Sequence, residues 1–230
     1  QAEDGIRDRS PSRGLGDVYK RQRYTDPSCR QCRRIGEKLF LKGERCYSQK
    51  CGVERRKRPP GEPTRRRPRS TDWGVQLREK QKARFTYGVL ERQFRKYFEE
   101  ARDTKGVTGD LLLSTLEQRL DNVVYRLSFA DSRKQGRQLV NHGHFNVNGR
   151  RVNIPSYLVK VGDVITWNRV GGDTVPEFVQ ALTDGLPKRP VPSWLQLEPS
   201  DLKGEVLSIP DASENDSGVD VRLIVEFYSR

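Results

Sequence analysis

Residues 116–167, LEQRLDNVVYRLSFADSRKQGRQLVNHGHFNVNGRRVNIPSYLVKVGDVITW, carry the pattern from which the rest of the chain is read. Leu116, Leu120, Val123, Val124 and Leu127 recur at helical spacing, so one amphipathic helix is expected there, with Arg119 and Arg126 on its outer face. Ser132 stands three residues before Gln135, a pair whose side chains satisfy the first N–H groups of a second helix. Gly143 suits the end of that helix, because left-handed backbone costs glycine little. Phe145 and Val147 then alternate with polar neighbours up to Asn148-Gly149, a dipeptide that favours a tight hairpin turn. Val161-Gly162-Asp163 reads as a turn into a last apolar strand at 164–167. The stretch therefore predicts a helix pair, a small hairpin and one further strand.

Cations gather on the second helix. Arg133, Lys134 and Arg137 lie within two turns, beside Ser132, Gln138 and Asn141, while Leu139 and Val140 take the inner side. His142 and His144 follow, and Arg150 and Arg151 come directly after the hairpin tip at Asn148 and Gly149. A rigid scaffold with dense cations, amide side chains and exposed backbone donors suits a phosphate backbone bent into a particular shape. The same spacing also fits an ordinary solvated basic face on a small α+β domain.

Of the 230 residues, 33% are hydrophobic and 33% charged, which excludes one large core and favours small modules on an extended frame. The net charge of +13 points to an anionic partner, nucleic acid before an acidic membrane. Its distribution sharpens this: residues 23–70 hold 16 Lys and Arg against 5 Asp and Glu, whereas 171–230 hold 5 against 11. A partner surface is expected to meet the front of the molecule. No apolar run is long enough to span a bilayer and no signal-peptide pattern occurs, so a soluble intracellular chain is expected. Residues 1–22 show neither helical nor strand periodicity and read as a disordered, non-native leader, translated vector sequence ahead of a native start near Arg23.

All four cysteines fall in Cys29-x2-Cys32 and Cys46-x4-Cys51, separated by a loop-sized interval. Two such pairs can set four thiolates tetrahedrally around Zn²⁺ in a closed, structural site. Arg30, Arg33, Arg34, Lys38 and Lys50 alongside are expected to favour the thiolate form. Two disulfides or a redox dithiol are the alternatives; a reducing cytosol disfavours the first, and the lack of a thioredoxin-like βαβ context the second.

Residues 54–70, ERRKRPPGEPTRRRPRS, cannot pack, and Arg65, Arg66 and Arg67 at their centre are expected to touch an RNA backbone. Residues 73–102 carry Leu77, Phe85, Val89, Leu90, Phe94, Tyr97 and Phe98 at helical intervals, which predicts one or two long helices with core-facing aromatics. Arg78, Lys80, Lys82 and Arg84 are expected on the outer face, within reach of RNA. Residues 176–186 suggest a short helix, 188–192 a proline-rich linker, 211–220 a solvated acidic loop, and 221–228, VRLIVEFY, a final strand.

RLDNVVYRL, SRKQGRQLVNHGHFNVNGRRVNIPSY and VGDVI resemble the RNA-binding module shared by ribosomal proteins, pseudouridine synthases and some synthetases, and more closely the universal S-four family of bacterial small-subunit ribosomal proteins. LREKQKARFTYGVLERQFRKYFEEA is similar to that family's helical lobe, and the cysteine spacing matches its zinc-binding four-cysteine variant. The resemblance implies an α+β protein: a zinc-binding basic lobe and linker at 23–70, a helical lobe at 71–112 completed by 171–230, and an inserted RNA-binding module at 113–170. It also implies that SWL at 193–195 and the IVEFYSR end pack back on the helical lobe. The implied partners are small-subunit rRNA at a helix junction, neighbouring ribosomal proteins, and mRNA near the entry channel. The implied roles are to nucleate assembly and support decoding accuracy. No membrane and no small-molecule substrate are expected. One departure is Gly136, where the family leads us to expect alanine; glycine inside a helix weakens it by about 0.5–1 kcal/mol unless it permits a closer backbone approach.

The alternative class is an RNA-modifying or tRNA-directed enzyme that uses the module as a handle, since related pseudouridine synthases carry a catalytic Arg-Leu-Asp. Here Arg119-Leu120-Asp121 lies inside the module itself, where Asp121 reads as a structural or N–H-contacting carboxylate, and Arg119 as an RNA contact. The two histidines have no Ser, Cys or paired carboxylate beside them to build a general-base site. No enzyme is expected.

Overall fold

The computed structural model describes residues 24–61, 71–168, 190–211, 214 and 218–229. The leader at 1–22, Arg65, Arg66 and Arg67, and the short helix expected at 176–186 lie outside these. Within them the chain is α+β, with a small basic lobe, a helical lobe and a module of helices on one antiparallel sheet.

The N-terminal lobe holds α1 (Cys29–Ile35), a 3₁₀ turn (Gly43–Cys46) and α2 (Gly52–Arg55). Cys32, Ile35, Leu39 and Leu41 form its small core, with Val53 and, from the next helix, Phe85 against them. Four apolar side chains bury too little area to hold a lobe on their own.

The helical lobe contains α3 (Asp72–Tyr87), α4 (Glu91–Asp103) and α5 (Thr108–Glu117). The Thr71 hydroxyl starts α3 by accepting the Gly74 N–H at 3.2 Å, and Gly88, in left-handed backbone at φ 62°, ends it. Tyr87, Phe94, Tyr97, Phe98, Leu112 and Leu116 fill the core, so the aromatics of 73–102 are core residues as expected, Trp73 excepted at 52% exposure.

Residues 221–228 correct an expectation: they form a helix, α8 (Val221–Tyr228), and not a strand. Val, Ile and Phe favour strands only where a pleated partner exists. Here Ile224, Val225 and Tyr228 fall on one helical face against the lobe core, and Asp220 caps the first turn by accepting the Arg222 N–H at 3.0 Å. Gly109 admits the helix, since a Cβ there would stand 2.6 Å from Val221 Cγ1.

The single helix expected from Leu116 to Leu127 is also two. After α5 the chain breaks at Gln118-Arg119 and restarts as α6 (Leu120–Arg126). Loop carbonyls take the new helix's first donors: Leu120 N–H donates to Tyr157 O at 2.8 Å and Asp121 N–H to Pro155 O at 3.2 Å, while Val159 N–H returns to Gln118 O at 2.9 Å. Leu116 consequently lies in the helical lobe's core and Leu120 in the module's.

The module packs α6 and α7 (Arg133–Asn141) on β1 (Phe145–Val147), β2 (Arg150–Arg151), β3 (Val164–Trp167), β4 (Leu195–Glu198) and β5 (Lys203–Val206), in sheet order β2-β1-β3-β5-β4. Trp194 and Leu195 belong to this core and not, as the resemblance implied, to the helical lobe: Leu195 pairs with Val206, and β5 pairs with β3. Gly204 lets the sheet close on α6, where a Cβ would lie 2.4 Å from Leu127 Cδ1.

Candidate nucleic-acid interface

The Ser132 hydroxyl accepts the Gln135 N–H at 3.3 Å, and the Gln135 side chain accepts the Asp131 N–H at 2.8 Å, so both ends of the expected cap are made, one residue earlier than the usual return bond. That fixes the start of α7 and the direction of its cations. Asn148 (φ 51°) and Gly149 (φ 76°) make the hairpin turn, and the Asn148 amide ties it down, donating to Asp163 Oδ1 at 2.8 Å and accepting the Val164 N–H at 2.9 Å. Arg150 and Arg151 leave this braced tip into solvent, and Arg151 donates to the His142 carbonyl at 3.0 Å. Gln138, Asn141 and His142 are exposed on the adjoining end of α7, and His144 is half-buried, stacked on Trp167 at 5.4 Å. Burial, then the neighbouring His142 and Arg151, push the His144 imidazole pKa down, so it stands ready as a neutral hydrogen-bonding group near neutral pH. Together these groups form one polar, cationic ridge on a rigid support.

Several cations expected at the surface face inward. Arg119 is 1% exposed: its guanidinium holds Asp121 through Nε at 3.1 Å and Nη2 at 2.7 Å and reaches the Tyr97 hydroxyl at 2.8 Å. Asp121 also accepts Arg137 Nη1 at 3.2 Å, so this pair and Arg137 brace α6, α7 and α4 to one another. Arg126 is buried on Glu117, at 3.0 and 2.9 Å. Arg133 donates to Asn122 Oδ1 at 2.7 Å and lies over the Tyr125 and Tyr87 rings at 4.5 and 5.0 Å. Lys80 pairs with Glu91 at 2.6 Å, and Lys82 with Glu37 at 2.6 Å, both nearly fully buried; Arg78 alone of that group is exposed. Charged residues at helical intervals read as a solvated face only where no second lobe covers them, and here α8 and the N-terminal lobe do.

Glu117 is the hub of this interior. It accepts the Tyr87 hydroxyl at 2.6 Å and the Asn122 amide at 2.6 Å besides Arg126. Burial alone would raise its carboxyl pKa, but the Arg126 hydrogen bonds and charge, helped by Arg133 and Tyr87, outweigh it and hold the group at about 2. Burial pushes the Tyr87 phenol far up, which keeps it a donor.

Sequence reading passed over two further basic surfaces. Arg92, Arg95 and Lys96 line an open groove on α4, legible only in retrospect as one helical face. Lys42 and Arg45, from the cysteine lobe, line another with Ser132, Lys134 and Gln135 of α7; nothing in the sequence signals that docking except Gly43, whose Cβ would meet Asp131 Cβ at 2.9 Å. Lys134 itself donates to Ser28 Oγ at 2.7 Å across that seam.

Cys32, Cys46 and Cys51 are buried and Cys29 half-buried, all four as free thiols. Burial raises the Cys32 and Cys46 pKa values and the neighbouring thiols add to the rise, so at these two residues the flanking cations do not produce the expected thiolate bias. Lys38 instead pairs with Glu54. The Lys42 N–H points at Cys46 Sγ from 3.3 Å. Among the described residues no three of His, Cys, Asp and Glu stand as a ready-made metal cage. None of the described helices is long and apolar enough to cross a membrane.

Comparison with known proteins agrees with this architecture. Residues 23–117 match the ribosomal protein S4/S9 N-terminal domain, and residues 118–165 match the S4 domain. The division between the two falls at the end of α5, just before the Gln118-Arg119 break. Small ribosomal subunit protein uS4A of Symbiobacterium thermophilum is 55% identical over 210 residues, covering 90% of this chain and 99% of the relative. The uS4 proteins of Dictyoglomus turgidum and Syntrophomonas wolfei are each 54% identical, with the same coverage.

Proposed function

The chain belongs to the ribosomal S4 protein family, and from that premise we propose that it acts as a clamp on small-subunit rRNA, with its lobes fixed relative to one another by a buried ionic seam. It is a structural, non-catalytic constituent of the small ribosomal subunit, with rRNA and other ribosomal proteins as partners. The observation that carries the clamp is the pairing of Arg119 with Asp121 and Tyr97, which ties the cationic ridge of the module to the helical lobe through groups buried to 4% exposure or less. A prefolded RNA is recognised by cations at set separations, and that seam sets them.

The finer reading is a helix junction in the rRNA, bound early enough to nucleate assembly, with one face toward the mRNA entry channel, where it supports decoding accuracy. The candidate contacts are Gln138, Asn141, His144, Asn148, Gly149, Arg150 and Arg151 on the module, Lys134 and Ser132 at its seam with the N-terminal lobe, and Arg78 on the helical lobe. The Arg-Leu-Asp triplet supports no enzymatic alternative, because Asp121 is 3% exposed and already holds two arginines.

Zinc is part of the same reading. The donor set suits it by its chemistry: four thiols on two short loops of a lobe that has little core are the ligands a structural zinc takes, and at Cys32 and Cys46, where burial first and the neighbouring thiols next disfavour the thiolate, a divalent cation would favour it. Cys29, Cys32, Cys46 and Cys51 would hold the ion, which supplies a cross-link and no chemistry. The test of the whole reading is sedimentation from cells carrying the tagged chain. Comigration with small subunits is expected, and comigration with free tRNA away from subunits overturns it.

A further inference from the structure

We propose that Phe40 and Tyr47, on the N-terminal lobe, form a stacking platform for one unpaired nucleobase of the bound RNA. The inference rests on the rRNA reading above and adds a site to it. The two rings stack on each other, centroids 5.0 Å apart and 30° between planes, yet they are 37% and 62% exposed. Their neighbours behave oppositely: Leu39 and Leu41, on either side of Phe40, are 4% and 5% exposed. Phe40 itself takes left-handed backbone, at φ 48°. That conformation costs a non-glycine residue free energy, and glycine would avoid most of it. A phenylalanine is nonetheless held there, with more than a third of its surface open to water beside the more exposed Tyr47 ring.

Its surroundings select the occupant. Phe40 lines a cleft with Arg133 and Lys134 of α7, and the adjoining groove carries Lys42, Arg45 and Lys134. Glu44 and Asp131 lie in that groove too, so its charge is mixed but predominantly positive. An apolar protein knob would meet an apolar rim; a base inserted on an aromatic ring brings flanking phosphates, which match the cations of the adjoining groove. Base stacking tolerates any base, because each has a π-face, so the platform selects an unpaired, extruded position and not a sequence.

The test is filter binding of the full chain to transcribed small-subunit rRNA over a range of KCl concentrations. Phe40→Gly, Phe40→Ala and Tyr47→Ala are each expected to weaken binding by about tenfold, within the roughly 5- to 150-fold span of aromatic stacking. Because no charge is lost, the slope of log K against log salt stays that of the wild type. Tyr47→Phe, which keeps the ring, should bind nearly as the wild type. Phe40→Gly relieves the positive φ, so its melting temperature should equal or exceed the wild type's and separate lost stacking from lost folding. Crosslinking with 4-thiouridine-substituted rRNA should attach a nucleotide to one of these rings. If the wild type binds rRNA and the aromatic variants bind equally well, or if their salt slopes fall, the platform is overturned while the rRNA reading stands. A wild type that ignores rRNA overturns both.

Discussion

Arg119 and Asp121 hold each other in the protein interior through two hydrogen bonds, of 3.1 and 2.7 Å, at the point where the chain passes from helical lobe to module. Neither reaches solvent, so neither touches RNA; both set where the RNA-facing residues stand. Removing one member of a buried, hydrogen-bonded pair leaves an uncompensated charge. Arg119→Ala should lower stability by about 3–5 kcal/mol in urea titration. Arg119→Lys should recover only part of it, because an ammonium cannot fork across both carboxylate oxygens. Stability within about 1 kcal/mol of wild type in either variant, on the scale of a surface pair, would remove the seam from the account.

Glu117 gives the acid limb of stability. Its carboxyl is held at about 2 when folded, below an ordinary 4.5, so its contribution is fully present above that ordinary value and is lost as pH falls from about 4.5 toward 2. The loss is on the order of 3 kcal/mol. In Glu117→Gln the group no longer titrates. The stability gap between variant and wild type should therefore close as pH drops through that window, measured by denaturant melts at each pH. A gap independent of pH would mean that the Glu117 carboxyl has the same pKa folded and unfolded, so that Arg126 does not stabilise its charge.

Gly136 tests a different kind of constraint. A methyl group there would sit 2.9 Å from the Asp121 carbonyl oxygen, a backbone atom that cannot swing aside. Alanine gains up to about 1 kcal/mol in helix propensity, but the crowding of α6 on α7 costs about 1–3 kcal/mol. Gly136→Ala should consequently fail to raise the melting temperature, and a clear rise in calorimetry would contradict the close approach.

The four cysteines make a prediction about composition. Metal analysis of the purified chain should find one zinc per molecule, and a strong chelator should melt the N-terminal lobe while the module's sheet persists. Cys32→Ser should mimic the chelator. Metal-free protein whose lobe melts no earlier than the metal-loaded form would exclude a structural ion.

Patterns confined to one element were legible in the sequence. The Ser132 cap, the Asn148-Gly149 turn, the β3 strand and the core-facing aromatics of α3 and α4 all depend on neighbours a few residues away. What sequence periodicity missed was set by distant partners. The break at Gln118-Arg119 exists because Tyr157 and Pro155 offer carbonyls, and α8 is helical because Gly109 leaves room for Val221 and the lobe core receives Ile224. Arg119, Lys80 and Lys82 looked like surface cations because their carboxylate partners come from other elements or from beyond the helix break. The Phe40 and Tyr47 rings were visible as letters, but their stacking on one another and their exposure come from the folded lobe.

The most direct measurement is the affinity of the full chain for small-subunit rRNA, set against tRNA, across a salt series. Wild-type binding should favour rRNA and weaken steeply with salt, and the Arg150→Ala, Arg151→Ala double variant should lower the salt slope by about 1 for each phosphate left without its arginine. Equal affinity for tRNA and rRNA, or a slope unchanged in the double variant, would contradict a fixed cationic clamp on folded ribosomal RNA.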